Sequence, residues 1–261
     1  MSSRAAAALV TGSSSGIGLS IARVLAGSGY NVVLTGLGDP QALTGIATAV
    51  AREYGVDTIY VPADLRNAAE IRALCERAQD RFGLISVLVN NAGVQHVAPV
   101  HEFPEEQWDE IIAVNLSSAF HTTKALLPAM QSARSGRIIN IASAHGLVGS
   151  VGKSAYVASK HGIIGLTKVT ALENASYGIT ANAICPGWVG TPLVAKQIAE
   201  RAARSGRAAE EEQMRLITEK QALPQFTAAE HIADFVLFLC SPSAATITGA
   251  ALSMDGGWVA S

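Results

Sequence analysis

Tyr156 and Lys160 are a pair of residues whose types and spacing suit proton transfer. They are four positions apart, and on a helix this spacing places both side chains on one face, with Cβ atoms about 5–6 Å apart. A lysine ammonium that close to a phenol favours the phenolate, so we expect Lys160 to lower the pKa of Tyr156 from its ordinary value of about 10 toward working pH. Tyr156 is therefore a candidate general acid and base. The same spacing is common on solvated helix faces, so the other motifs of the chain have to show whether this pair is catalytic.

Two further polar residues lie next to apolar runs. Ser143 follows residues 138–142, which predict the end of a strand, and a hydroxyl at a strand end can bind an alcohol or carbonyl oxygen. Asn115 lies among apolar neighbours in a long helix predicted over residues 105–130, and a buried amide has to be hydrogen-bonded. Ser143 is thus a candidate to hold a reacting oxygen, and Asn115 needs a fixed partner.

A glycine-rich turn follows the first apolar run of the chain. Residues 5–10 predict a strand, residues 19–26 have helical spacing, and they are joined by residues 11–18, which read TGSSSGIG. Glycines permit a tight turn and close approach of a ligand, and the helix N-terminus presents free N–H groups to a pyrophosphate. The spacing differs from the common Gly-x-Gly-x-x-Gly fingerprint, so a plain strand-to-helix connection stays open as an alternative.

The end of the second predicted strand, residues 31–35, bears on the choice of dinucleotide. In many such sites an acidic residue at this strand end binds the ribose hydroxyls of NAD, whereas an arginine accommodates the 2′-phosphate of NADP. Neither is present at this strand end. Asp39 comes a few residues late, and Arg23, inside the helix, is the only Lys or Arg between residues 11 and 38. The lack of a cation favours NAD.

Apolar strands alternate with helices along the chain. After the third predicted strand, residues 58–62, comes Asp64, whose carboxylate can accept a hydrogen bond from an adenine amino group or can be a solvated loop residue. Strands that are almost continuously apolar and are joined by helices indicate a parallel sheet covered on both faces. We therefore predict a single α/β domain over residues 1–261, a Rossmann-type doubly wound parallel sheet of about seven strands with helices on both faces. The other predicted strands are 85–89, 137–142, 180–185 and 251–254, and the other predicted helices are 41–54, 67–82 and 229–239.

Residues 188–222 depart from this alternation. They are rich in Ala, Arg, Glu and Gln and predict one or two exposed helices after the sixth strand. Ligands bind outside the carboxyl ends of the strands in open α/β sheets, so an insertion there is well placed to cover a ligand. We predict a helical substrate lid, with a solvated helical excursion as the alternative.

The composition of the chain excludes several classes of protein. Of its 261 residues 49% are hydrophobic and 15% charged, with a formal charge of −2, which indicates no basic patch for nucleic acid. No apolar run approaches the roughly 18–20 residues of a membrane span, so we expect a soluble protein that does not bind a membrane. The three cysteines are isolated, which favours a reducing, cytoplasmic compartment. The six histidines lack metal-ligand spacing, so no metal is expected.

Taken in order, these motifs resemble the short-chain dehydrogenase/reductase family over essentially the whole chain. The resemblance rests on Thr11-Gly12-x-x-x-Gly16-x-Gly18, Asn90-Asn91-Ala92-Gly93, Asn115, Ser143, Tyr156-x-x-x-Lys160 and Pro186-Gly187. It implies a tyrosine that exchanges a proton with an alcohol, a lysine that lowers its pKa and binds the nicotinamide ribose, a serine that hydrogen-bonds the reacting oxygen, and an asparagine that holds a water in the proton relay. These roles fall on Tyr156, Lys160, Ser143 and Asn115. The NAD site that it implies consists of Gly12, Ser15, Gly16, Ile17, Gly18, Leu37, Asp64, Leu65, Asn91, Ala92, Gly93, Tyr156, Lys160, Pro186, Gly187, Val189 and Thr191.

A second set of residues resembles one branch of that family, the bacterial D-3-hydroxybutyrate dehydrogenases. The set comprises Gln95-His96, Ser143-Ala144-His145-Gly146, Lys153, Pro186-Gly187-Trp188-Val189, Thr191-Pro192-Leu193-Val194, Lys196-Gln197 and Asp255-Gly256-Gly257-Trp258. The resemblance implies a substrate site in which Ser143 and Tyr156 bind the reacting oxygen, the carboxylate lies among Gln95, His145, Lys153 and Gln197, and the methyl end meets Trp188 and Trp258.

The chemistry of these residues supports the same ligand independently. A small hydroxy acid presents one anion and a short apolar body, so its site needs a cation, neutral donors and a bulky apolar stop. The alternative to a substrate site is that Lys153 and Gln197 are solvated and that the two tryptophans belong to the core. Gly190 departs from the pattern, because larger side chains are expected there, and it would loosen the hinge of the lid.

The resemblance as a whole implies an oxidoreductase that uses NAD to oxidise (R)-3-hydroxybutyrate reversibly to acetoacetate, as in ketone-body or polyhydroxybutyrate metabolism, and that forms a homotetramer. One alternative is an NADPH-dependent reductase of 3-oxoacyl groups carried on a protein or coenzyme A, which needs a cation near the 2′-phosphate and a basic docking surface. Another is a regulatory protein that keeps the dinucleotide fold without catalysis. The complete set Asn115, Ser143, Tyr156 and Lys160 argues against it.

Overall fold

Strands and helices alternate through the chain in a computed structural model that describes residues 6–260. All seven predicted strands form, with bounds within one or two residues of those expected. Ala5, included in the first predicted strand, lies outside the described residues. The strands are β1 (Ala7–Val10), β2 (Asn31–Leu34), β3 (Thr58–Tyr60), β4 (Ile85–Asn90), β5 (Gly136–Ile141), β6 (Ile179–Pro186) and β7 (Ala251–Met254).

The strands form one parallel sheet in the order β3-β2-β1-β4-β5-β6-β7. From β1 the chain proceeds outward to β3, then returns to β4 on the other side of β1 and proceeds outward to β7. The predicted doubly wound sheet is therefore confirmed. In open α/β sheets a ligand binds outside the carboxyl ends of the strands where the order reverses, which here is beyond β1 and β4.

Helices cover both faces of the sheet. The helices are α1 (Gly16–Gly27), α2 (Pro40–Tyr54), α3 (Ala68–Phe82), α4 (Glu105–Ile112), α5 (Ser118–Ala133), α6 (Ser154–Asn174), α7 (Pro192–Ser205), α8 (Ala209–Thr218) and α9 (Ala229–Cys240). Successive strand residues point to opposite faces, so Val10 joins a buried cluster with α1, α2 and α9, whereas Leu9 joins a second cluster with α3, α5 and α6. None of the described helices is long and apolar enough to span a membrane.

The helix predicted over residues 105–130 is interrupted and extends beyond its expected end. Between α4 and α5 a π-helical segment covers Ala113–Ser117, a wide turn of the kind often found at functional sites, and Asn115 lies in it. Pro128 lies inside α5 and does not end it. The helix ends after Ala133, where Arg134 has a left-handed φ of 51°.

The segment predicted as a lid, residues 188–222, contains two helices, α7 and α8. Arg201 of α7 donates a hydrogen bond over 3.2 Å to the buried carboxylate of Glu212 in α8. Apolar side chains of both helices form a buried cluster with Trp188 and Trp258 at the carboxyl edge of the sheet. The segment is therefore packed onto this edge rather than solvated on all sides, and its closing over a substrate remains a prediction.

Candidate active site

One cleft of about 470 Å³ lies at the carboxyl edge of the sheet. It is lined by every residue that the sequence predicted for dinucleotide or substrate, from Gly12 after β1 to Trp258 after β7. Of the four predicted catalytic residues, Asn115 alone does not line it. The parallel topology brings these residues together because each lies just beyond the carboxyl end of a strand or in the helix that follows.

The glycine turn has the shape of a cradle for a pyrophosphate. Gly12 has a left-handed φ of 62°, and a Cβ on Gly18 would lie 2.3 Å from the carbonyl oxygen of Gly12, so neither position accepts a side chain. Asn91 Nδ2 donates to that carbonyl oxygen over 3.1 Å and holds the turn. Ser15 precedes α1 without a side-chain capping hydrogen bond, which leaves the first N–H groups of α1 for an anion. The turn therefore fits a nicotinamide dinucleotide.

Arg66 is a cation in the adenosine part of the cleft that the sequence reasoning missed. Its Nη2 donates to the Asp64 carboxylate over 2.6 Å, and this hydrogen bonding lowers the pKa of Asp64. Its Nη1 also lies 3.6 Å from Glu110. Asp39 does not line the cleft, and instead its carboxylate caps two backbone N–H groups of α2. The part of the cleft expected to hold the adenosine ribose, the ribose end, thus contains Arg66, whose charge is already balanced by Asp64 and Glu110.

Ser143, Tyr156 and Lys160 meet at the end of β5. Tyr156 lies in the first turn of α6, and Lys160 lies one turn later on the same side, with Nζ 5.6 Å from the centre of the tyrosine ring. Lys160 Nζ donates a hydrogen bond over 2.7 Å to the carbonyl oxygen of Ile141, the last residue of β5. Ser143 follows two residues later, where its Oγ accepts a hydrogen bond from the backbone N–H of His145 over 3.2 Å and its hydroxyl also acts on the Tyr156 phenol. The serine hydroxyl and the phenol can therefore bind the same substrate oxygen.

The pKa of Tyr156 moves in the direction opposite to our expectation. Burial raises the pKa of Tyr156, and the nearby Ser143 side chain opposes this rise only in part. Burial also lowers the pKa of Lys160 to about 8. The predicted lowering by Lys160 was wrong because desolvation of a phenolate outweighs the attraction of an ammonium that is already bound to the Ile141 carbonyl.

Asn115 lies one layer behind the cleft. Its Oδ1 accepts a hydrogen bond from the backbone N–H of Val94 over 2.8 Å, and its Nδ2 donates to the carbonyl oxygen of Val94 over 3.0 Å. Nδ2 also lies 3.3 Å from Ser159 Oγ in α6. The buried amide therefore fixes the loop after β4 against α6, and its part in a proton relay remains a prediction.

The far end of the cleft combines a buried cation with two indole rings. Lys153 is only 8% exposed, and its Nζ lies 5.2 Å from the centre of the Trp188 ring. The rings of Trp188 and Trp258 have centres 5.4 Å apart, and the His145 ring meets Trp258 edge-on at 4.8 Å. Gln95 and Gln197 line this end as well. A short apolar chain carrying one anion matches this set of groups.

Burial controls the charge of both basic groups at this end. It lowers the pKa of His145 to about 3, with a smaller contribution from Lys153, so the imidazole is neutral at working pH. Burial lowers the pKa of Lys153 to about 8, assisted by the positive charge of Lys220. Lys153 is therefore the cation of this end, and it loses its charge in mildly alkaline solution.

Gln221 is a positioning residue that the sequence reasoning missed. Its Oε1 accepts a hydrogen bond from the backbone N–H of Trp188 over 2.6 Å, and its Nε2 donates to the carbonyl oxygen of Gln225 over 2.9 Å. A Cβ on Gly187 would lie 2.6 Å from Gln221 Oε1. The amide thus holds the turn after β6 in place. No local pattern signals this role, because the partner lies 33 positions away along the chain.

Comparisons with known proteins identify the family of the chain. A family profile described as short chain dehydrogenase matches residues 6–202. The chain is 53% identical over 253 residues to a D-beta-hydroxybutyrate dehydrogenase of Cupriavidus necator, which covers 97% of each chain. It is 51% identical to a D-beta-hydroxybutyrate dehydrogenase of Rhizobium meliloti, over 97% of this chain and 98% of that one.

A solved structure shows the same fold at lower sequence identity. It is a crystal structure of a variant actinorhodin polyketide ketoreductase with NADPH, 38% identical to this chain, with a TM-score of 0.92 and coverage of 99% of both chains. Ketoreductases therefore share the architecture, but they are more distant in sequence than the two hydroxybutyrate dehydrogenases.

Proposed function

The chain belongs to the short chain dehydrogenase family, and from this premise we propose that it oxidises (R)-3-hydroxybutyrate reversibly to acetoacetate with NAD. It is an oxidoreductase that uses a nicotinamide dinucleotide. The observation that carries the substrate assignment is the buried Lys153, which lies with Trp188 and Trp258 in the same cleft as Ser143 and Tyr156. A buried cation calls for an anionic partner, and the indole rings limit the length of the apolar part.

Each of the central residues then has a defined task. Tyr156 takes the hydroxyl proton during oxidation and returns it to the ketone during reduction, while the Ser143 hydroxyl hydrogen-bonds the same oxygen. When bound, NAD supplies the nicotinamide that accepts the hydride. Because burial raises the pKa of Tyr156, the phenol is protonated at neutral pH and is ready to serve the reduction. Oxidation needs the phenolate and is therefore favoured by higher pH.

The choice of NAD over NADP rests on the ribose end of the cleft. Leu37 lines the cleft there and is 65% exposed, and Arg66 is engaged by Asp64. Among residues 6–260, a 2′-phosphate would find no free cation at this end and would lose about 1.5–3 kcal/mol of charged hydrogen bonding, so kcat/KM with NAD should exceed that with NADP by about 10- to 150-fold. Initial rates with each dinucleotide test this. Leu37→Arg supplies the missing cation and should narrow the ratio, whereas equal efficiency in the unaltered enzyme would contradict the proposal.

A reductase of 3-oxoacyl groups carried on a protein or coenzyme A is the main rival. It shares the fold, since the solved ketoreductase structure is 38% identical to this chain. The buried Lys153 argues against it, because a thioester has no carboxylate for that cation. A panel of (R)-3-hydroxybutyrate, acetoacetate and 3-oxoacyl thioesters, followed by absorbance of the reduced dinucleotide, tests the two readings. Turnover of thioesters in preference to the free acid would replace our proposal with the rival.

Titration of Lys153 makes binding of the substrate carboxylate dependent on pH. The pKa of Lys153 is about 8, so the cation is present below that pH and is lost above it. The Kd for acetoacetate should stay constant from pH 6 to about 7.5 and then rise, approaching tenfold for each further pH unit. Lys153→Arg keeps its charge in this range and should show a flat profile in the same titration. A flat profile in the unaltered enzyme would show that Lys153 does not bind the acid.

The assembly and location of the enzyme are further parts of this proposal. Phe120 on α5 is 44% exposed and Leu172 on α6 is 83% exposed, and this exposure of apolar side chains supports the expected homotetramer, in which neighbouring copies would cover them. All three cysteines are free thiols, which supports a reducing, cytoplasmic location.

A further inference from the structure

The carboxylate end of the cleft borders a second cavity. This back chamber, about 650 Å³, lies between the lid helices α7 and α8 and two loops, one after β4 that contains Val97 and one after β5 that contains Ser150. Five side chains line both the cleft and the back chamber: His145, Lys153, Trp188, Gln197 and Trp258. The two spaces therefore meet at the side chains that we assign to the substrate, and the buried Lys153 borders both.

The wall of the back chamber is positively charged overall. Arg201, Arg204 and Lys220 line it together with Lys153, against the carboxylates of Glu200 and Glu219. Arg201 Nη2 donates to Glu219 over 2.8 Å, and Glu200 lies 4.0 Å from a lysine of the same helix, so both carboxylates have partners. Lys220 is exposed and, within residues 6–260, its side chain has no hydrogen bond or ion pair.

The charge of Lys220 affects the pKa values of two residues at the substrate end. It contributes to lowering the pKa of both Lys153 and His145, in each case after burial. An ammonium that repels a neighbouring ammonium attracts a carboxylate approaching the same place. Lys220 thus stands as an outer cation in front of the buried cation Lys153.

We propose that the hydroxy acid and the oxo acid enter and leave the site through the back chamber, with Lys220 as the outer cation that guides the carboxylate to Lys153. This inference rests on the proposed function. A dinucleotide held by the glycine turn and the turn after β6 would occupy the main cleft, whose lining also includes the residues assigned to the substrate. The back chamber offers the acid a separate path, so that acid exchanges while the dinucleotide stays bound.

Trp188 is suited to act as the gate of this path. Its backbone is held by Gln221, whereas its Nε1 is buried and has no hydrogen-bond partner in the described part of the chain. Rotation of the indole therefore breaks no hydrogen bond of the ring, and the fixed backbone returns it to the same place.

The experiment measures acetoacetate binding to enzyme saturated with NAD, where both partners are oxidised and no hydride transfer occurs. Trp188 and Trp258 are two of the three tryptophans of the chain, so stopped-flow fluorescence reports association and dissociation rates. Ala203→Phe narrows the back chamber, and Ala199→Phe is the matched control on an exposed position of the same helix that does not line it. Ala203→Phe should slow association and dissociation by the same factor, about tenfold, and leave Kd unchanged, because an obstacle on a path alters the barrier in both directions equally.

A charge reversal tests the outer cation separately. Lys220→Glu should lower the association rate by about tenfold at low ionic strength, and added salt should remove most of the difference. Lys196→Glu is the control, since Lys196 is an exposed lysine of the lid outside the back chamber. NAD affinity should be the same in all four variants.

Three outcomes would count against the inference. Rates in Ala203→Phe equal to those in Ala199→Phe would place the path elsewhere. A changed Kd in Ala203→Phe would indicate a distorted site and would also overturn it. If the unaltered enzyme neither binds acetoacetate nor oxidises 3-hydroxybutyrate, the proposed function itself fails, and this result precedes any comparison of variants.

Discussion

Replacing Tyr156 by Phe should lower the rate of 3-hydroxybutyrate oxidation by about 10²–10⁴-fold, because the variant loses the group that accepts the hydroxyl proton. The ring itself is kept, so its contact with Lys160 and with the His145 ring, whose centre lies 5.8 Å away, should persist. NAD binding should therefore remain nearly unchanged. Initial rates at saturating NAD and a fluorescence titration with NAD measure the two quantities.

Tyr177→Phe is the matched control, since Tyr177 is a partly exposed tyrosine beyond the end of α6. It should retain full activity. If Tyr156→Phe kept more than a tenth of the rate, the phenol would not be the acid and base of this site.

Lys160→Ala should differ from both tyrosine variants, because it removes a buried ammonium that we assign to the ribose as well as to the tyrosine. Turnover and NAD affinity should therefore fall together.

Replacing Lys153 by Ala should reduce kcat/KM for 3-hydroxybutyrate by about 10- to 150-fold, since a hydrogen bond to a charged group contributes about 1.5–3 kcal/mol. The cation lies buried against Trp188, so no bulk water replaces its interaction with the carboxylate. Towards the methyl ester of the substrate, which has no charge, the same replacement should cost little. The unaltered enzyme should itself use the ester poorly, because a neutral ligand leaves the buried cation unpaired.

The test is a two-by-two comparison of the unaltered enzyme and Lys153→Ala on the acid and its ester. Lys196→Ala controls for the loss of a positive charge on the lid, where that lysine is exposed. Equal losses on both substrates would show that Lys153 stabilises the fold rather than the carboxylate. Efficient use of the ester by the unaltered enzyme would leave a dehydrogenase whose substrate is not selected by charge.

Much of the fold follows from local features of the sequence. Each strand is a short, almost continuously apolar run, and this pattern alone requires cover on both faces, which in a chain of this length means helices packed on a parallel sheet. The glycine turn and the Tyr156 to Lys160 spacing depend on residues that are close along the chain, so helix and turn geometry determine their arrangement. The strand that precedes Ser143 was predictable for the same reason.

Other parts of the site depend on residues far apart in the chain. The direction in which the pKa of Tyr156 moves depends on desolvation by several elements, and the spacing of one lysine could not reveal it. The role of Asn115 depends on a π-helical turn that aims its amide at Val94, a detail that apolar periodicity does not contain.

Arg66, Lys220 and Gln221 show the same limit. In the sequence each lies in a polar stretch without a distinguishing pattern, yet in the fold Arg66 pairs with Asp64 in the cleft, Lys220 faces the substrate end and Gln221 holds Trp188. The sequence by itself determined the elements and the groups that can do chemistry, because these depend on short-range geometry and on residue type. Only the tertiary structure decided the charge states of these groups and the residues that hold them in position. The reason is that burial and electrostatic interaction are summed over neighbours that the chain brings together from many strands and helices.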